Sequence, residues 1–195
     1  MAHPSFVPKS VSELIAYAKQ SPGKVNFGTP GVGSSGHIAG ELFAASAEIK
    51  LAHIPYRGTG PALADLVGGH IPLVFAPIPA TYESTKNGTL RMMGLTSATR
   101  SRLLPELPTI AEQGLPGYDA VLRYGLVAPT GTPRPIVELL NKELNAALSA
   151  EDIRNRMATL GAEVLPSTPE EHAAEIDREV TKWSKLIVSL GLKGE

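Results

Sequence analysis

The stretch KVNFGTPGVGSSGHIAGELF, residues 24–43, runs from a short apolar strand through a glycine-rich loop into an apolar helix. Its glycines Gly31, Gly33 and Gly36 fit the pattern G-x-G-x-x-G, which in βαβ units lets the backbone approach a bound dinucleotide. A strand that leads directly into a helix is typical of these units, which build parallel sheets. The stretch therefore predicts an α/β fold and raises the question of which anion its loop binds.

A dinucleotide is a poor fit to this loop. Dinucleotide folds place the first glycine directly after the strand, and an acidic residue about 20 positions further on binds the ribose hydroxyls. Here Thr29 and Pro30 separate the strand from the first glycine, and the next strand ends in IPYR at 54–57, without a carboxylate. Another kind of anion, or a turn without any ligand, explains the glycines better.

The loop has the groups that a smaller anion requires. Gly33 allows close approach of the backbone, Ser34 and Ser35 offer hydroxyls, and the first turn of a helix leaves N–H groups unpaired. A carboxylate suits such donors as well as a phosphate does. The alternative is that a serine only caps the helix while the glycines form a turn. The stretch by itself leaves both interpretations open.

A second segment repeats the same order. PYRGTGPALADLVGG, residues 55–69, passes from a strand end through Gly58 and Thr59 into a helix start. Parallel strands end at one edge of a sheet, which is where ligands bind in α/β folds. Two neighbouring helix starts would direct their positive dipole ends at one small anion.

The rest of the chain alternates between apolar strands and helices up to about residue 100. Ser10 and Glu13 predict a capping box at the first helix. Helices are predicted at about 10–20, 34–48, 60–67 and 79–88, and strands at 24–29, 51–56, 71–76 and 90–96. This order predicts a mostly parallel sheet flanked by helices.

After Arg100 the pattern changes. Residues 100–120 are rich in Pro and Gly and predict an irregular connection with a short helix at 110–113, and 121–129 predict a strand. Two long helices follow at about 132–148, capped by Thr132, and 168–190, with Glu171 in a capping box. Their apolar stripes predict core-facing sides: Ile136, Leu139, Leu140, Leu144 and Ala147, then Ala173, Ile176, Val180, Trp183, Ile187 and Leu190.

Composition excludes several functions. Eighteen Lys and Arg against nineteen Asp and Glu give a formal net charge of −1, with no basic cluster, so we expect no nucleic-acid partner. The chain has no cysteine, which rules out disulfides and thiol catalysis. No apolar run reaches membrane-spanning length, and the first ten residues lack the apolar core of a signal peptide.

Catalytic and metal motifs are also missing. The five histidines show no H-E-x-x-H spacing, and neither Ser34 nor Ser35 lies in a G-x-S-x-G nucleophile elbow. No pair of carboxylates is marked as a general acid and base. We therefore predict no metal, no cofactor and no catalysis. The competing hypothesis is a nucleotide- or phosphate-binding α/β enzyme that uses the loop from Gly31 to Gly36, for which catalytic groups were not found.

Five blocks in this order resemble the Bug/TctC family, the extracytoplasmic solute receptors associated with tripartite tricarboxylate transporters. The blocks begin KVNFGTPGVGSSGH, HIPYRGTGPALADL, RSRLLPELPTIAEQ, GLVAPTGTPRPIVE and LGAEVLPSTPEEHA, at residues 24, 53, 100, 125 and 160. The resemblance implies a two-lobed fold like that of type II periplasmic binding proteins, which closes on a small carboxylate without catalysis. It also implies a periplasmic location and membrane transporter subunits as partners.

The resemblance further implies how the chain is organised. Family members begin with an export signal and about half of the first lobe, whereas this chain resembles the part that follows. We therefore expect 5–121 to form the second lobe and 122–195 to be a C-terminal segment returning to an incomplete first lobe. If this leaves the ligand cleft incomplete, a third hypothesis is a truncated interaction fragment that binds no ligand.

Site residues carry over from the resemblance by position. The ligand-facing loop, the helix start and the second donor loop correspond to Thr29, Gly33, Ser34, Ser35, His37, Gly58 and Thr59. Two positions depart from the family. Ala76 stands where an aspartate commonly meets a ligand amino group, so we expect a ligand without one. Arg123 and Tyr124 replace two aromatics, and Arg123 either adds a carboxylate partner or lies at the surface.

The two long helices also predict self-association. In the family-like fold their apolar stripes cover a sheet whose first strands this chain does not contain. Exposed stripes of this kind normally recruit a partner surface, so we expect a homodimer through the C-terminal helices.

Overall fold

The computed structural model describes residues 1–189 and 191 of the 195-residue chain. It divides into two compact units, Met1–Leu122 and Arg123–Glu195. We refer to them as unit 1 and unit 2 and describe each by itself.

Unit 1 is an α/β unit built around a three-stranded parallel sheet. The sheet order is β2-β1-β3, so β1 lies in the centre. The elements are α1 (Val11–Gln20), β1 (Asn26–Thr29), α2 (Ser35–Ser46), β2 (Ala52–Pro55), α3 (Thr59–Val67), β3 (Leu73–Val74) and α4 (Ile78–Lys86). The predicted α/β fold with a parallel sheet is confirmed.

Strand register brings two loops to the same edge of the sheet. β1 and β2 pair from Asn26 with Ala52 to Thr29 with Pro55. Both strands therefore end at the same level, and the loops leading into α2 and α3 leave the sheet side by side. β3 pairs with β1 on the other side, at Phe27 and Gly28.

The core of unit 1 packs α2 closely onto β1. Phe27 and Phe43 are almost fully buried. Gly40 allows this approach, because a Cβ atom there would lie 2.3 Å from the Phe27 ring. The Tyr118 hydroxyl donates to the Ala39 carbonyl oxygen at 2.8 Å, inside the unit. The irregular connection after residue 100 is thereby fixed to α2.

Helix ends in unit 1 follow the sequence signals. Ser10 caps α1 by accepting from the Glu13 N–H at 3.1 Å, and the Glu13 carboxylate accepts from the Lys9 N–H at 2.8 Å. α4 ends at Asn87, followed by Gly88 with φ of 75°. These two predicted boundaries are confirmed.

Three predicted elements of unit 1 are wrong or shortened. Residues 90–96 form only isolated bridges, from Arg91 to Ala2 and from Leu95 to Thr109, because the two ends pair with different segments. The strand predicted at 71–76 shortens to β3. The helix predicted at 110–113 is a turn.

The described residues of unit 2 form three helices, α5 (Arg134–Ser149), α6 (Glu151–Thr159) and α7 (Pro169–Ser189). The predicted capping box at α7 is confirmed, since Thr168 and Glu171 exchange N–H bonds at 2.8 and 3.1 Å. α5 begins after Pro133 rather than with a Thr132 cap, because the Thr132 hydroxyl donates back to the Pro129 carbonyl. α6 was not predicted from the sequence.

The apolar segments of unit 2 remain exposed in the part of the chain that the structure describes. The strand predicted at 121–129 is wrong, because these residues have no strand partner. No described residue of α5, α6 or α7 is buried, and Leu139 and Val180 are 57% and 58% exposed. The core-facing role predicted for the stripes is therefore not seen, and Leu190 lies outside the described residues.

Among the residues that the structure describes, no helix combines the length and the apolar character that crossing a membrane requires.

Candidate functional site

Thr29 ends β1 and is completely buried. Its Oγ1 atom accepts from the Gly31 N–H at 3.3 Å and lies 3.2 Å from the Gly31 carbonyl oxygen. It also lies 2.6 Å from Nε2 of His53, a residue of β2. The Thr29 hydroxyl, predicted as a ligand contact, is thus surrounded by protein partners and fixes the start of the loop.

Ser34 is the N-cap of α2. Its Oγ atom donates to the Gly31 carbonyl at 2.7 Å and accepts from the His37 N–H at 3.3 Å. The single hydroxyl proton is therefore used inside the loop. Of the two interpretations that the sequence left open for this serine, the structure shows the capping one.

Ser35 is the first residue of α2 and is exposed. Among the described residues, its hydroxyl and N–H and the N–H of Gly36 have no hydrogen-bond partner. Gly36 is required here, because a Cβ atom would lie 2.4 Å from the Phe75 carbonyl oxygen. The start of α2 therefore packs on the segment after β3 while its N–H donors stay unpaired.

The second loop is joined to the first by a backbone hydrogen bond. The Gly58 N–H donates to the Pro30 carbonyl at 2.8 Å. α3 then begins at Thr59 without a side-chain cap, and within the described part of the chain the Thr59 and Gly60 N–H groups have no acceptor. Two helix starts with unpaired N–H groups, on α2 and α3, lie at one edge of the sheet.

His37 is buried beneath the first loop. Its Nδ1 atom accepts from the Gly33 N–H at 3.1 Å, and its ring stacks on His53 with centroids 3.9 Å apart and planes 16° from parallel. The Nε2 atom lies 3.7 Å from Oε1 of Glu41. His37, predicted as a ligand contact, is here a partner of the loop backbone.

Burial and mutual repulsion keep these two imidazoles neutral. Burial lowers the pKa of His37, and burial together with the charge of His37 lowers the pKa of His53 to about 4. Burial also raises the pKa of Glu41. The pair therefore supplies no positive charge to an anion at neutral pH.

His53 was missed by the sequence analysis. The usable signal was register, because His53 pairs with Phe27 across β1 and β2, and paired residues project to the same face of a sheet. Thr29 projects to that face too, two residues after Phe27. Only the pairing, which the sequence does not specify directly, brings these groups together.

The remaining predicted residues differ in their surroundings. Ala76 follows β3 and packs against the apolar cluster that contains Leu66, so it offers no charge to a ligand. Arg123 and Tyr124 belong to unit 2. Arg123 pairs through Nη1 with Glu175 and Glu179 of α7 at 3.2 and 3.6 Å, and Tyr124 is 89% exposed. The carboxylate partners that Arg123 has in the structure are thus protein side chains.

The arrangement in unit 1 suits a small anion. Four unpaired N–H groups and the Ser35 hydroxyl lie at two helix starts, and each helix start carries roughly half a positive charge. Among the described residues no three His, Cys, Asp or Glu side chains form a group that would hold a metal ion.

Comparison with known proteins identifies the family. Residues 1–192 match the family described as the tripartite tricarboxylate transporter family receptor, TctC. The chain belongs to this family. The resemblance found in the sequence is confirmed.

Relatives of the TctC family match nearly all of this chain. It is 39% identical to a protein from the tcbD-tcbE intergenic region of a Pseudomonas species, over 94% of this chain and 55% of that protein. It is 34% identical to protein BugT of Bordetella pertussis, over 99% of this chain and 59% of BugT. The chain therefore spans little more than half the length of these two relatives.

Solved structures of the TctC type share the fold. An R. palustris protein described with adipate gives a TM-score of 0.87 at 33% identity, covering 97% of this chain and 64% of that one. The periplasmic binding protein BugD gives a TM-score of 0.80 at 32% identity, covering 100% of this chain and 66% of BugD. MatC of Rhodopseudomonas palustris, described with bound malate, gives a TM-score of 0.76 at 29% identity, covering 95% of this chain and 64% of MatC.

Proposed function

We propose that this chain is the carboxylate-binding part of a solute receptor that captures a small carboxylate in the periplasm for a tripartite tricarboxylate-type transporter. The observation that carries this proposal is the pair of helix starts, on α2 and α3, that present unpaired N–H groups at neighbouring strand ends. Membership of a receptor family and the adipate and malate of two related structures support it. The chain acts by binding and release, and the membrane subunits of the transporter are its partners.

The ligand carboxylate is proposed to accept from both helix starts. Its donors are the N–H groups of Ser35, Gly36, Thr59 and Gly60 together with the Ser35 hydroxyl. Backbone donors and helix dipoles bind anions without a charged side chain. Thr29, Ser34, His37 and Gly58, whose polar groups already have protein partners, and Gly33 shape the two loops.

The ligand is proposed to lack an α-amino group. Ala76 presents a methyl group at the end of β3, where the family commonly has a carboxylate. A ligand ammonium there would lose water without gaining a counter-charge, which is costly in a closed cleft. Plain mono- and dicarboxylates are therefore favoured over amino acids.

The domain assignment also remains a proposal. We propose that residues 5–121 are the second lobe of the receptor fold and that 122–195 are a segment of its first lobe. The division of the described chain into units ending at Leu122 and beginning at Arg123 supports this boundary. Arg123 and Tyr124, at the start of unit 2, are then residues of the segment that enters the first lobe.

We further infer that a second copy of the chain covers the apolar stripe of unit 2. Leu139, Leu140 and Val180 are each about half exposed, and a two-fold axis lets one such stripe pack on its own copy. The expected assembly is a homodimer through α5 and α7.

Calorimetric titration of the full chain tests the proposed function. The panel contains adipate, malate and succinate, with inorganic phosphate, ATP and NAD as competitors from the enzyme hypothesis. Ser35→Ala should weaken carboxylate binding by about 1–3 kcal/mol, because a charged acceptor loses a donor. Ser46→Ala is the matched control, since Ser46 is exposed at the opposite end of α2. Binding of ATP or NAD alone would favour an enzyme, and binding of nothing would favour an interaction fragment.

A further inference from the structure

Two imidazoles of unit 1, the buried His37 and the partly buried His53, hold the glycine loop from both sides. His37 approaches from α2 and accepts the Gly33 N–H at 3.1 Å. His53 approaches from β2 and lies 2.6 Å from the Thr29 hydroxyl, which in turn contacts both backbone groups of Gly31. Each of these residues lies on β1, β2 or α2, or in the loop that joins β1 to α2.

The geometry fixes the protonation of His37. A nitrogen that accepts an N–H bond has no proton of its own, so the neutral ring carries its proton on Nε2. That nitrogen faces Glu41, whose Oε1 atom is 3.7 Å away. A proton on Nδ1 would remove the acceptor of the Gly33 N–H. The loop conformation and the charge state of the ring are therefore coupled.

Gly33 makes this hydrogen bond in a conformation that needs support. Its φ of 73° lies in the left-handed region, and no side chain or backbone lies within 4 Å of the position of its missing Cβ. Among the described residues, the bond to His37 is the hydrogen bond that holds Gly33, while Thr29 and Ser34 hold Gly31. The conformation of the loop at Gly33 thus depends on one imidazole nitrogen.

Because the two rings stack, the His53 ring must also be neutral. The ring centroids are 3.9 Å apart and nearly parallel, so two protonated rings would repel each other at close range. The other groups facing the pair are Phe27, 5.1 Å from the His53 ring, and Thr29, neither of which carries charge. Glu41 is the one carboxylate with a described contact to the pair, and burial raises its pKa.

We propose that the stacked, neutral pair His37 and His53 positions the glycine loop of this receptor for ligand binding. This inference rests on the proposed function, in which the N–H groups at the start of α2 hold the ligand carboxylate. His37 and His53 are positioning residues, because they act on the ligand only through Gly33, Thr29 and Gly31. Loss of either contact should lower affinity without removing any proposed ligand donor.

The test compares variants of His37 and His53 that keep different contacts of the two rings. His37→Phe retains a ring for stacking but has no acceptor, whereas His37→Asn retains an acceptor near the position of Nδ1. His53→Gln retains a polar group near Thr29 but loses the stack. His70→Gln is the control, since His70 is 73% exposed and contacts Asp65 instead.

Two readouts are measured on the full chain labelled with ¹⁵N. The first is the Gly33 amide resonance, its hydrogen-exchange rate and its pH titration, none of which needs a ligand. The second is the affinity for adipate. We expect His37→Phe to shift the Gly33 resonance, speed its exchange and weaken adipate binding about tenfold, the loss of roughly one hydrogen bond. His37→Asn should recover most of the affinity for adipate. The affinity of His53→Gln should lie between those of His37→Phe and His37→Asn.

The pH titration separates positioning from a purely structural role. In the wild-type chain the Gly33 resonance should titrate together with the His37 ring, below the ordinary histidine pKa. An unchanged Gly33 resonance in His37→Phe, or unchanged adipate affinity despite a shifted resonance, would overturn the proposal. If the wild-type chain binds no carboxylate at all, the proposed function fails, while the Gly33 measurements still decide whether the rings hold the loop.

Discussion

Gly58 donates its backbone N–H to the carbonyl oxygen of Pro30 at 2.8 Å, and this bond joins the loop before α2 to the loop before α3, beside the bond from the Tyr56 N–H to the Thr29 carbonyl at 3.0 Å. Each loop ends in a helix start with unpaired N–H groups. Because the two loops are tied together, their donors are held at a fixed spacing. A ligand that binds both helix starts then finds its site preformed, which reduces the entropy lost on binding.

Substitution of Gly58 should therefore disturb folding and binding together. Gly58 has φ of 112° and ψ of 173°, a region that only glycine adopts readily, and forcing another residue into it costs about 1–3 kcal/mol. We expect Gly58→Ala to destabilise the chain by this amount in urea unfolding and to weaken carboxylate binding.

Gly60→Ala is the matched control for Gly58→Ala. Its φ is not in the left-handed region, and an added Cβ would meet nothing within 4 Å. Because Gly60 is inside α3, alanine should leave stability unchanged or raise it by up to about 1 kcal/mol. Equal destabilisation by the two substitutions would contradict the argument from backbone strain.

The neighbouring serines should have separable effects. Ser34 accepts from the His37 N–H as the cap of α2, and loss of such a cap costs about 0.5–2 kcal/mol of stability. Ser34→Ala should therefore lower the midpoint of thermal unfolding, while Ser35→Ala should leave it unchanged and weaken binding instead. The prediction fails if Ser35→Ala proves the more destabilising of the two.

Local signals predicted most of unit 1 from the sequence. The Ser10 cap and the strand-loop-helix order at 24–43 depend on residues close together in the chain, and both appear in the structure, although the Glu13 carboxylate accepts from the Lys9 N–H and not from the Ser10 N–H of a capping box. Residues 90–96 look like a strand by composition, but their two ends pair with Ala2 and Thr109. Pairing partners of this kind are set by the whole fold and not by the local pattern.

The sequence did not specify what the polar groups of the candidate site contact. Thr29, Ser34 and His37 lie together as expected, yet their polar atoms contact the loop itself. A sequence shows that a hydroxyl is near a helix start, but not whether its proton points to a backbone carbonyl or to a ligand. His53 escaped notice for a related reason, since strand register brings it beside Thr29.

Acid should destabilise unit 1 through the stacked histidines His37 and His53. The pKa of His53 is lowered to about 4 in the folded chain from about 6.5 when unfolded. The unfolded state therefore binds more protons between these values, so stability is full above pH 6.5 and falls as the pH drops toward 4.

Urea unfolding at pH 7 and pH 5 measures this effect. The wild-type chain should be less stable at pH 5, and His53→Gln should show a smaller difference between the two pH values. His70→Gln should keep the wild-type difference, because His70 is exposed. A wild-type stability that does not change over this range would show that the pair is not kept neutral by the fold.

Ala76 should determine whether the proposed carboxylate site accepts a ligand with an amino group. We expect adipate to bind more tightly than 2-aminoadipate, which has the same chain length but adds an ammonium. Ala76→Asp should reverse part of this preference, because a carboxylate at the end of β3 pairs with the ammonium and repels a second ligand carboxylate. A change of about tenfold in the affinity ratio is expected, which corresponds to about 1.4 kcal/mol.

Ala80→Asp controls for the added charge. Ala80 is exposed on α4, so a carboxylate there should leave the affinity ratio unchanged. Tighter binding of 2-aminoadipate than of adipate by the wild-type chain would contradict the role proposed for Ala76.

The apolar stripe of unit 2 should make the chain a dimer. Leu139, Leu140 and Val180 are 57%, 46% and 58% exposed on α5 and α7, and burying a large apolar side chain contributes about 1.5–3 kcal/mol. A two-fold interface buries each of these residues twice, once in each copy.

Light scattering at micromolar concentration should therefore give a mass near twice the chain's 20.5 kDa. Leu139→Glu should shift it toward the monomer, whereas Lys142→Glu, on an exposed position of the same helix, should not. A mass of 20.5 kDa for the wild-type chain at every concentration would exclude the dimer.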